Sequence, residues 1–97
     1  MYARCITAHV HPDRVDDAIA VYQDSIIPAA RQQPGFVSAM LLTDRSMGRA
    51  TSVTVWQDET ARTAADTSGF LREQIGKLAP MFLAAPTREL LDVGACS

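Results

Sequence analysis

The sequence has few of the features that disulfide-rich or membrane-spanning proteins require. It contains two cysteines, Cys5 and Cys96, among 97 residues. Two cysteines do not make a disulfide framework, and neither has a second cysteine at metal-ligand spacing. Its apolar stretches are of strand length, and the alanine-rich end of the second helical region is interrupted by Pro80 and Pro86. Because a membrane helix needs about 20 apolar residues, we expect no membrane association.

The sequence also lacks a concentration of positive charge. Nine basic and eleven acidic residues give a net charge of −2, and the basic residues form no run. Phosphate-backbone binding needs a concentrated positive face, so we expect no nucleic-acid partner. The N-terminus shows no basic region followed by the apolar region of a signal peptide, which predicts a cytoplasmic protein.

The composition and length predict one small globular domain. The chain is 47% hydrophobic and 21% charged, which is ordinary for a folded protein. We assign residues 1–97 to a single domain, because the length falls within the usual range for one. A domain of this size buries a modest core and often gains stability from a partner subunit.

Hydrophobic periodicity predicts four strands and two helical regions. The strands are expected at 2–10, 36–43, 50–57 and 87–93, and the helices at 14–32 and 58–83, the second interrupted at 67–69. Asp13 is the expected N-cap of the first helix. Pro28 lies inside that helix and predicts a kink, because it lacks the N–H that would bond to Asp24.

The predicted order of strand, helix, strand, strand, helix, strand is typical of a ferredoxin-like α+β fold. Right-handed crossovers place both helices on one face of a four-stranded antiparallel sheet. The other face, which would carry Cys5, Val53 and Val55, is largely apolar and has no covering element in the chain. Exposed apolar faces mark interfaces, so we predict a homodimer with two-fold symmetry.

Several local segments, in this order, resemble the antibiotic biosynthesis monooxygenase family over nearly the whole chain. Pro-Gly-Phe and Trp-x-x-Glu are each weak patterns, but they occur together at domain spacing. The segments are Val10-His11-Pro12, Ile26 to Phe36 with its Pro34-Gly35-Phe36, Leu41 to Arg45, and Val55 to Glu59 with its Trp56 and Glu59.

The resemblance implies a dimeric α+β barrel with a pocket between each sheet and its own helices. Several members of that family oxidise polycyclic phenols to quinones with dioxygen and neither metal nor flavin, since the phenolate supplies the electrons. Such a reaction needs a dry, aromatic-lined cavity with polar groups that orient the substrate. We therefore predict a small aromatic ligand and no cofactor.

The candidate substrate-binding residues follow from the resemblance and from strand parity. In the family the tryptophan matching Trp56 lines the pocket; the alternative is a core anchor whose indole N–H finds a local partner. Ser52 and Thr54 share its face of the strand. Tyr22 either points its hydroxyl into the cavity or packs at the sheet edge with its hydroxyl in water. Phe70 and Phe82 are expected to be core residues first and cavity walls second.

Two other kinds of site find little support in the sequence. His9 and His11 lie on one side of a strand, a spacing that can ligate a metal, but no third ligand has an obvious place. His9 is a candidate general base, although its parity is opposite to that of Trp56. Haem-degrading family members pair the tryptophan with an asparagine near the position of Ile6 and a histidine on the second helix; both are missing here.

Three hypotheses follow. The first is a cofactor-independent monooxygenase acting on a phenolic or quinol substrate. The second is a non-catalytic dimeric module that binds a small apolar molecule, favoured by the scarcity of acid–base residues in the expected cavity. The third is a structural dimer with a filled core. A void of several hundred Å³ near Trp56, the usual size of a ligand site, would distinguish the first two from the third.

Overall fold

The computed structural model describes all 97 residues and has the predicted ferredoxin-like architecture. Four antiparallel strands form one sheet in the order β2-β3-β1-β4, and the helices cover one face. The strands are β1 Tyr2–His9, β2 Phe36–Asp44, β3 Arg49–Trp56 and β4 Thr87–Asp92. The helices are α1 Val15–Val21, α2 Ile27–Arg31, α3 Glu59–Thr67 and α4 Phe70–Leu78.

The register of the sheet decides which side chains face the helices. In the β1–β3 pair, Arg4 lies opposite Thr54 and Ile6 opposite Ser52. In the β2–β3 pair, Leu41 lies opposite Ser52. Because side chains alternate along a strand, all of these residues share the helix-covered face. The predicted parity of β3, with Ser52, Thr54 and Trp56 on one side, is confirmed.

The first helical region is continuous but changes its winding before Pro28. A 3-10 turn over Pro12–Arg14 leads into α1, and a π turn over Tyr22–Ile26 connects α1 to α2. The Ile27 N–H bonds to the Tyr22 carbonyl, five residues back. Pro28 has no N–H and cannot form the hydrogen bond to the carbonyl four residues back that continues an α-helix. The helix accommodates this interruption with the π turn, at the place where a kink was expected.

The start of the first helical region differs from the prediction. Asp13 lies inside the 3-10 turn and caps nothing, because His11 is the residue that precedes the turn. Pro12 fixes the backbone angle at the first position and favours the turn directly after β1. The prediction of Asp13 as an N-cap was wrong.

The second helical region follows the prediction closely. Asp58 caps α3 by accepting a 2.8 Å hydrogen bond from the Ala61 N–H. Gly69, with a φ of 88°, separates α3 from α4, because only glycine adopts this conformation without strain. After α4 a 3-10 turn over Ala79–Met81 ends the helical region at Pro80.

The helix-covered face and the opposite face of the sheet differ in burial. The core cluster under the helices is small, comprising Val10, Val15, Ala18 and Met81. On the opposite face Met40, Leu42 and Leu91 are each about half exposed. We call this surface, with Val53 and Val55 between the two edges, the bare face. None of the helices combines the length and the apolar character that crossing a membrane requires.

Candidate functional site

A narrow apolar cavity lies between the sheet and the helices. Fourteen of the 18 residues that line it are hydrophobic. The polar exceptions are Arg4, Ser52, Thr54 and Gln74, of which the first three come from β1 and β3. The cavity therefore combines a mainly apolar wall with a few polar groups on the sheet, which is the usual composition of a small-molecule site.

The cavity is smaller than the void expected from the sequence. The centre of a water molecule can move through about 60 Å³ of it, which corresponds to a few waters, whereas several hundred Å³ was the expectation. Phe70, Leu71 and Phe82 form part of the wall and are only half buried. The cavity is therefore intermediate between the void expected of a ligand site and a completely filled core.

Five of the six predicted binding residues line this cavity. They are Tyr22, Ser52, Thr54, Phe70 and Phe82. The sixth, Trp56, is fully buried beside the cavity without lining it. Its ring meets Phe36 edge to face at 5.8 Å, and the Arg4 guanidinium lies 5.7 Å from its centroid. In this structure Trp56 is an anchor of the surrounding core.

Tyr22 brings a phenol hydroxyl to the cavity. Its Oη lies 2.8 Å from the Ser52 Oγ and donates to the Met40 carbonyl at 3.2 Å. Burial raises the pKa of the Tyr22 hydroxyl, and the bond with Ser52 opposes that rise. Tyr22 is therefore protonated at neutral pH and serves as a hydrogen-bonding group and not as a base. It begins the π turn, which sets the direction of its side chain.

Trp56 acts on the cavity through Thr54. The indole Nε1–H donates to the Thr54 Oγ1 at 3.1 Å. A hydroxyl that accepts this bond retains its own hydrogen for another partner. Because Thr54 lines the cavity, that hydrogen is available to a bound molecule.

Arg4 is a cavity-lining residue that the sequence analysis did not identify. It lines the cavity and is 2% exposed. Its Nη2 donates to the Arg62 carbonyl at 2.9 Å and lies 2.5 Å from the Asp66 Oδ1. This second contact is an ion pair between the Arg4 guanidinium and the Asp66 carboxylate. Burial lowers the pKa of Arg4, and Asp66 opposes this.

One signal in the sequence points to Arg4. It is the only charged residue between Tyr2 and Ala8, in a segment whose other residues are uncharged and mostly apolar. Arginine is rarely buried without a partner, so a charge on the helix-facing parity of such a strand implies a paired or functional group. Its partner Asp66 lies at the end of α3 and could not be identified from spacing.

The histidines lie outside this site. His9 and His11 are exposed, and His9 pairs with Arg49 at the far end of β1 on the opposite face from Trp56, as its parity predicted. No group of three or more histidine, cysteine or acidic side chains is placed to hold a metal ion.

The fold is that of the antibiotic biosynthesis monooxygenases. The structure matches that of a monooxygenase from the gene ActVA-Orf6 of Streptomyces coelicolor, solved with nanaomycin D, at a TM-score of 0.76 and 20% identity, over 99% of this chain and 89% of the other. An antibiotic biosynthesis monooxygenase matches at 0.75 and 17% identity, over 98% and 100%. NE2512 of Nitrosomonas europaea, of unknown function, matches at 0.76 and 18% identity, over 99% and 91%.

Two relatives in sequence are uncharacterized proteins. The uncharacterized protein Rv2557 of Mycobacterium tuberculosis is 29% identical over 98% of this chain and 42% of its own length. The uncharacterized protein Rv2558 of the same organism is 37% identical over 59% of this chain and 24% of its own. The chain thus spans about two fifths of the first relative's length. No protein-family model matches the sequence.

Proposed function

We propose that this domain binds a small aromatic phenol or quinol in the cavity beneath its helices and oxidises it with dioxygen. The observation that carries the proposal is the apolar cavity into which Tyr22, Ser52 and Thr54 bring hydroxyl groups. The shared fold supports it, because one protein of that fold is a monooxygenase solved with nanaomycin D. Fold alone does not determine chemistry, so the cavity residues carry the argument.

The reaction would use the electrons of the substrate. A ring C–H or CH₂ carbon becomes a carbonyl, one atom of dioxygen enters the product, and the other leaves as water. The domain's part is to exclude water with its apolar wall and to hold the substrate oxygen against the sheet. The hydroxyls of Ser52 and Thr54 lie side by side along β3 and are suited to this second task.

A non-catalytic binding module is the alternative, and one observation favours it. Of the residues that line the cavity, only Arg4 and Tyr22 carry groups that titrate. Tyr22 holds its proton at neutral pH because burial raises its pKa. A reaction in this cavity therefore depends on a substrate that ionises easily, whereas binding alone does not.

The bare face supports a second part of the proposal, that two copies assemble through their sheets. Met40, Leu42 and Leu91 expose about half of their surfaces there, around the partly buried Val53. Thr7 and Thr51 bond to each other at 3.1 Å on this face, so one of the two hydroxyl hydrogens is satisfied within the sheet. An apolar, two-fold related contact would cover it.

Oxygen uptake tests the catalytic proposal. We expect metal-stripped protein to consume dioxygen with at least one member of a panel of anthrones and hydroquinones. Ile75→Trp places an indole in the cavity wall and is expected to abolish uptake, because Ile75 lines the cavity. Arg72→Trp adds the same group to an exposed position of the same helix and is expected to leave uptake unchanged.

The controls separate the two functions. Uptake that survives Ile75→Trp would place the reaction elsewhere and contradict the proposal. The chain would instead be a binding module if no compound of the panel caused oxygen uptake but the compounds still bound. In that case Ile75→Trp should abolish binding and Arg72→Trp should preserve it.

A further inference from the structure

We propose that Arg4 and Thr54 form a paired donor site for a negatively charged oxygen, so that the cavity selects phenolates over neutral aromatic molecules. This inference rests on the proposed function, because it concerns a ligand in the same cavity. It adds a residue that binds the ligand and the charge state of that ligand.

The first observation is an unused donor. The Arg4 Nε–H is buried and has no acceptor in the protein, although Arg4 is 2% exposed and lines the cavity. Buried donors nearly always have a partner. An Nε–H left without one, in a side chain that borders a cavity, indicates that the acceptor comes from a molecule within the cavity.

The second observation is that the rest of the Arg4 side chain is fixed. Its Nη2 donates to the Arg62 carbonyl and lies beside Asp66, and its guanidinium lies 5.7 Å from the Trp56 ring centroid. The direction of the Nε–H is therefore set before a ligand binds. A donor that needs no reorganisation stabilises a charged oxygen more effectively than a mobile one.

The third observation is the neighbour of Arg4 in the sheet. Thr54 pairs directly with Arg4 across β1 and β3, on the same face. Its Oγ1 accepts from the Trp56 indole, which leaves its hydrogen to donate. Two donors from adjacent strands thus border the same part of the cavity, and one oxygen with several lone pairs can accept from both.

The fourth observation is the local charge. Arg4, Arg62 and Arg88 lie close enough for the charges of the other two to lower the pKa of Arg4. Asp66 is the only carboxylate within 4 Å of these three guanidinium groups. Three positive groups against one negative group leave an excess of positive charge beside a low-dielectric cavity, where an anion is favoured.

A phenol whose colour depends on its charge tests the proposal. We expect 4-nitrophenol bound to the wild-type chain to ionise about one pH unit lower than it does free, a tenfold preference for the phenolate, measured from its visible absorbance. Arg4→Lys keeps a positive charge beside Asp66 but has no Nε–H, and is expected to lose most of that shift. Thr54→Val, which keeps the shape of the side chain, is expected to lose part of it.

Arg88→Lys is the matched control. Arg88 lies 3.7 Å from Asp66 but does not line the cavity, so the same replacement there is expected to preserve the shift. The methyl ether 4-nitroanisole, which has no ionisable hydroxyl, is expected to bind wild type and Arg4→Lys equally. Equal binding also shows that the variant is folded with its cavity intact.

The outcomes separate this proposal from the proposed function. If both probes bind and 4-nitrophenol ionises as it does free, the cavity is a ligand site and the donor pair is refuted. A shift that Arg4→Lys and Thr54→Val both retain refutes it as well. If neither probe binds, the cavity is not a ligand site and both proposals fail. A shift that depends on Arg4, without oxygen uptake from any phenol, supports the donor pair in a binding module.

Discussion

The Trp56 indole donates a 3.1 Å hydrogen bond to the Thr54 hydroxyl two residues away on the same face of β3. One residue of this pair is fully buried in the core and the other lines the cavity. The bond satisfies the single polar atom of the tryptophan side chain. It also fixes which way the threonine hydroxyl turns, so the core and the candidate site share a structural element.

Trp56→Phe is expected to weaken both stability and ligand binding. The phenyl ring fills part of the indole volume but cannot donate to Thr54, so we expect a loss of about 1–3 kcal/mol in the free energy of unfolding. Urea denaturation followed by circular dichroism measures it, since the variant has no tryptophan fluorescence.

A double-mutant cycle with Thr54→Val isolates the hydrogen bond from the change in packing. The expected coupling energy is about 1 kcal/mol. Additive effects of the two substitutions would show that the indole–hydroxyl bond contributes nothing to stability.

Tyr22→Phe is expected to change how stability depends on pH. Burial raises the pKa of Tyr22 above the ordinary value of 10.0 for a tyrosine, so the folded chain holds the phenol proton more tightly than the unfolded chain. The stabilisation from this proton is complete below pH 10 and is lost as pH rises through the folded-state pKa. Above about pH 10, the free energy of unfolding should therefore fall less steeply in Tyr22→Phe than in wild type.

Ser52→Ala is the companion variant. The Ser52 bond opposes the rise in the Tyr22 pKa, so removing it should leave the alkaline fall in stability at least as steep as in wild type. Urea unfolding across about pH 8 to 11 measures all three chains. Identical alkaline slopes in wild type and Tyr22→Phe would show that another group controls this region.

Strand parity made most of the candidate site predictable. The alternation along β3 identified Ser52, Thr54 and Trp56 as one face, and the spacing along the first helix brought Tyr22 to the same side. In both elements the direction of a side chain follows from its position in the sequence, with a period of two residues in a strand and about 3.6 in a helix. The resemblance to known monooxygenases then indicated that this face borders a cavity.

Contacts between distant segments could not be predicted in the same way. The Arg4–Asp66 pair joins residues 62 positions apart, and its existence depends on how α3 lies across β1. Trp56 was expected to line the cavity, but an adjacent layer formed by Phe36 and Arg4 encloses its ring. The size of the cavity likewise depends on how the side chains of α4 fill the space, which periodicity does not determine.

If two copies of the chain associate through the bare face, a single charged residue introduced there should disrupt the dimer. Val53 lies in the middle of this face, opposite Met40 on β2 and Cys5 on β1. If two copies pack through it, Val53→Asp buries an unpaired carboxylate in the contact and should convert the dimer to a monomer. Sedimentation velocity measures the change in mass.

Met47→Asp is the control for that experiment. Met47 is 66% exposed and lies in the turn between β2 and β3, away from the bare face, so this variant should remain dimeric. A wild-type chain that sediments as a monomer would contradict the proposed assembly. So would a dimer that Val53→Asp leaves intact.

Three glycines provide a graded test of the backbone. Gly35 has a φ of 78°, and a Cβ added there would meet the Ala61 side chain. Gly69 has a φ of 88° with open space around it, whereas Gly76 lies inside α4, also in open space. Alanine at position 35 therefore combines backbone strain with a steric clash, and alanine at position 69 introduces backbone strain alone. Alanine at position 76 introduces neither.

We expect the three alanine variants to differ in sign as well as size. Gly76→Ala should stabilise the chain by about 0.5–1 kcal/mol, because alanine favours a helix interior and restricts the unfolded chain. Gly69→Ala should cost about 1 kcal/mol through the left-handed backbone alone. Gly35→Ala should cost more, about 2–4 kcal/mol, because the clash with Ala61 also pushes α3 away from the loop after α2.

Thermal and urea unfolding measure the free energy of unfolding of the three variants. Equal effects of Gly35→Ala and Gly69→Ala would show that α3 does not pack closely against that loop.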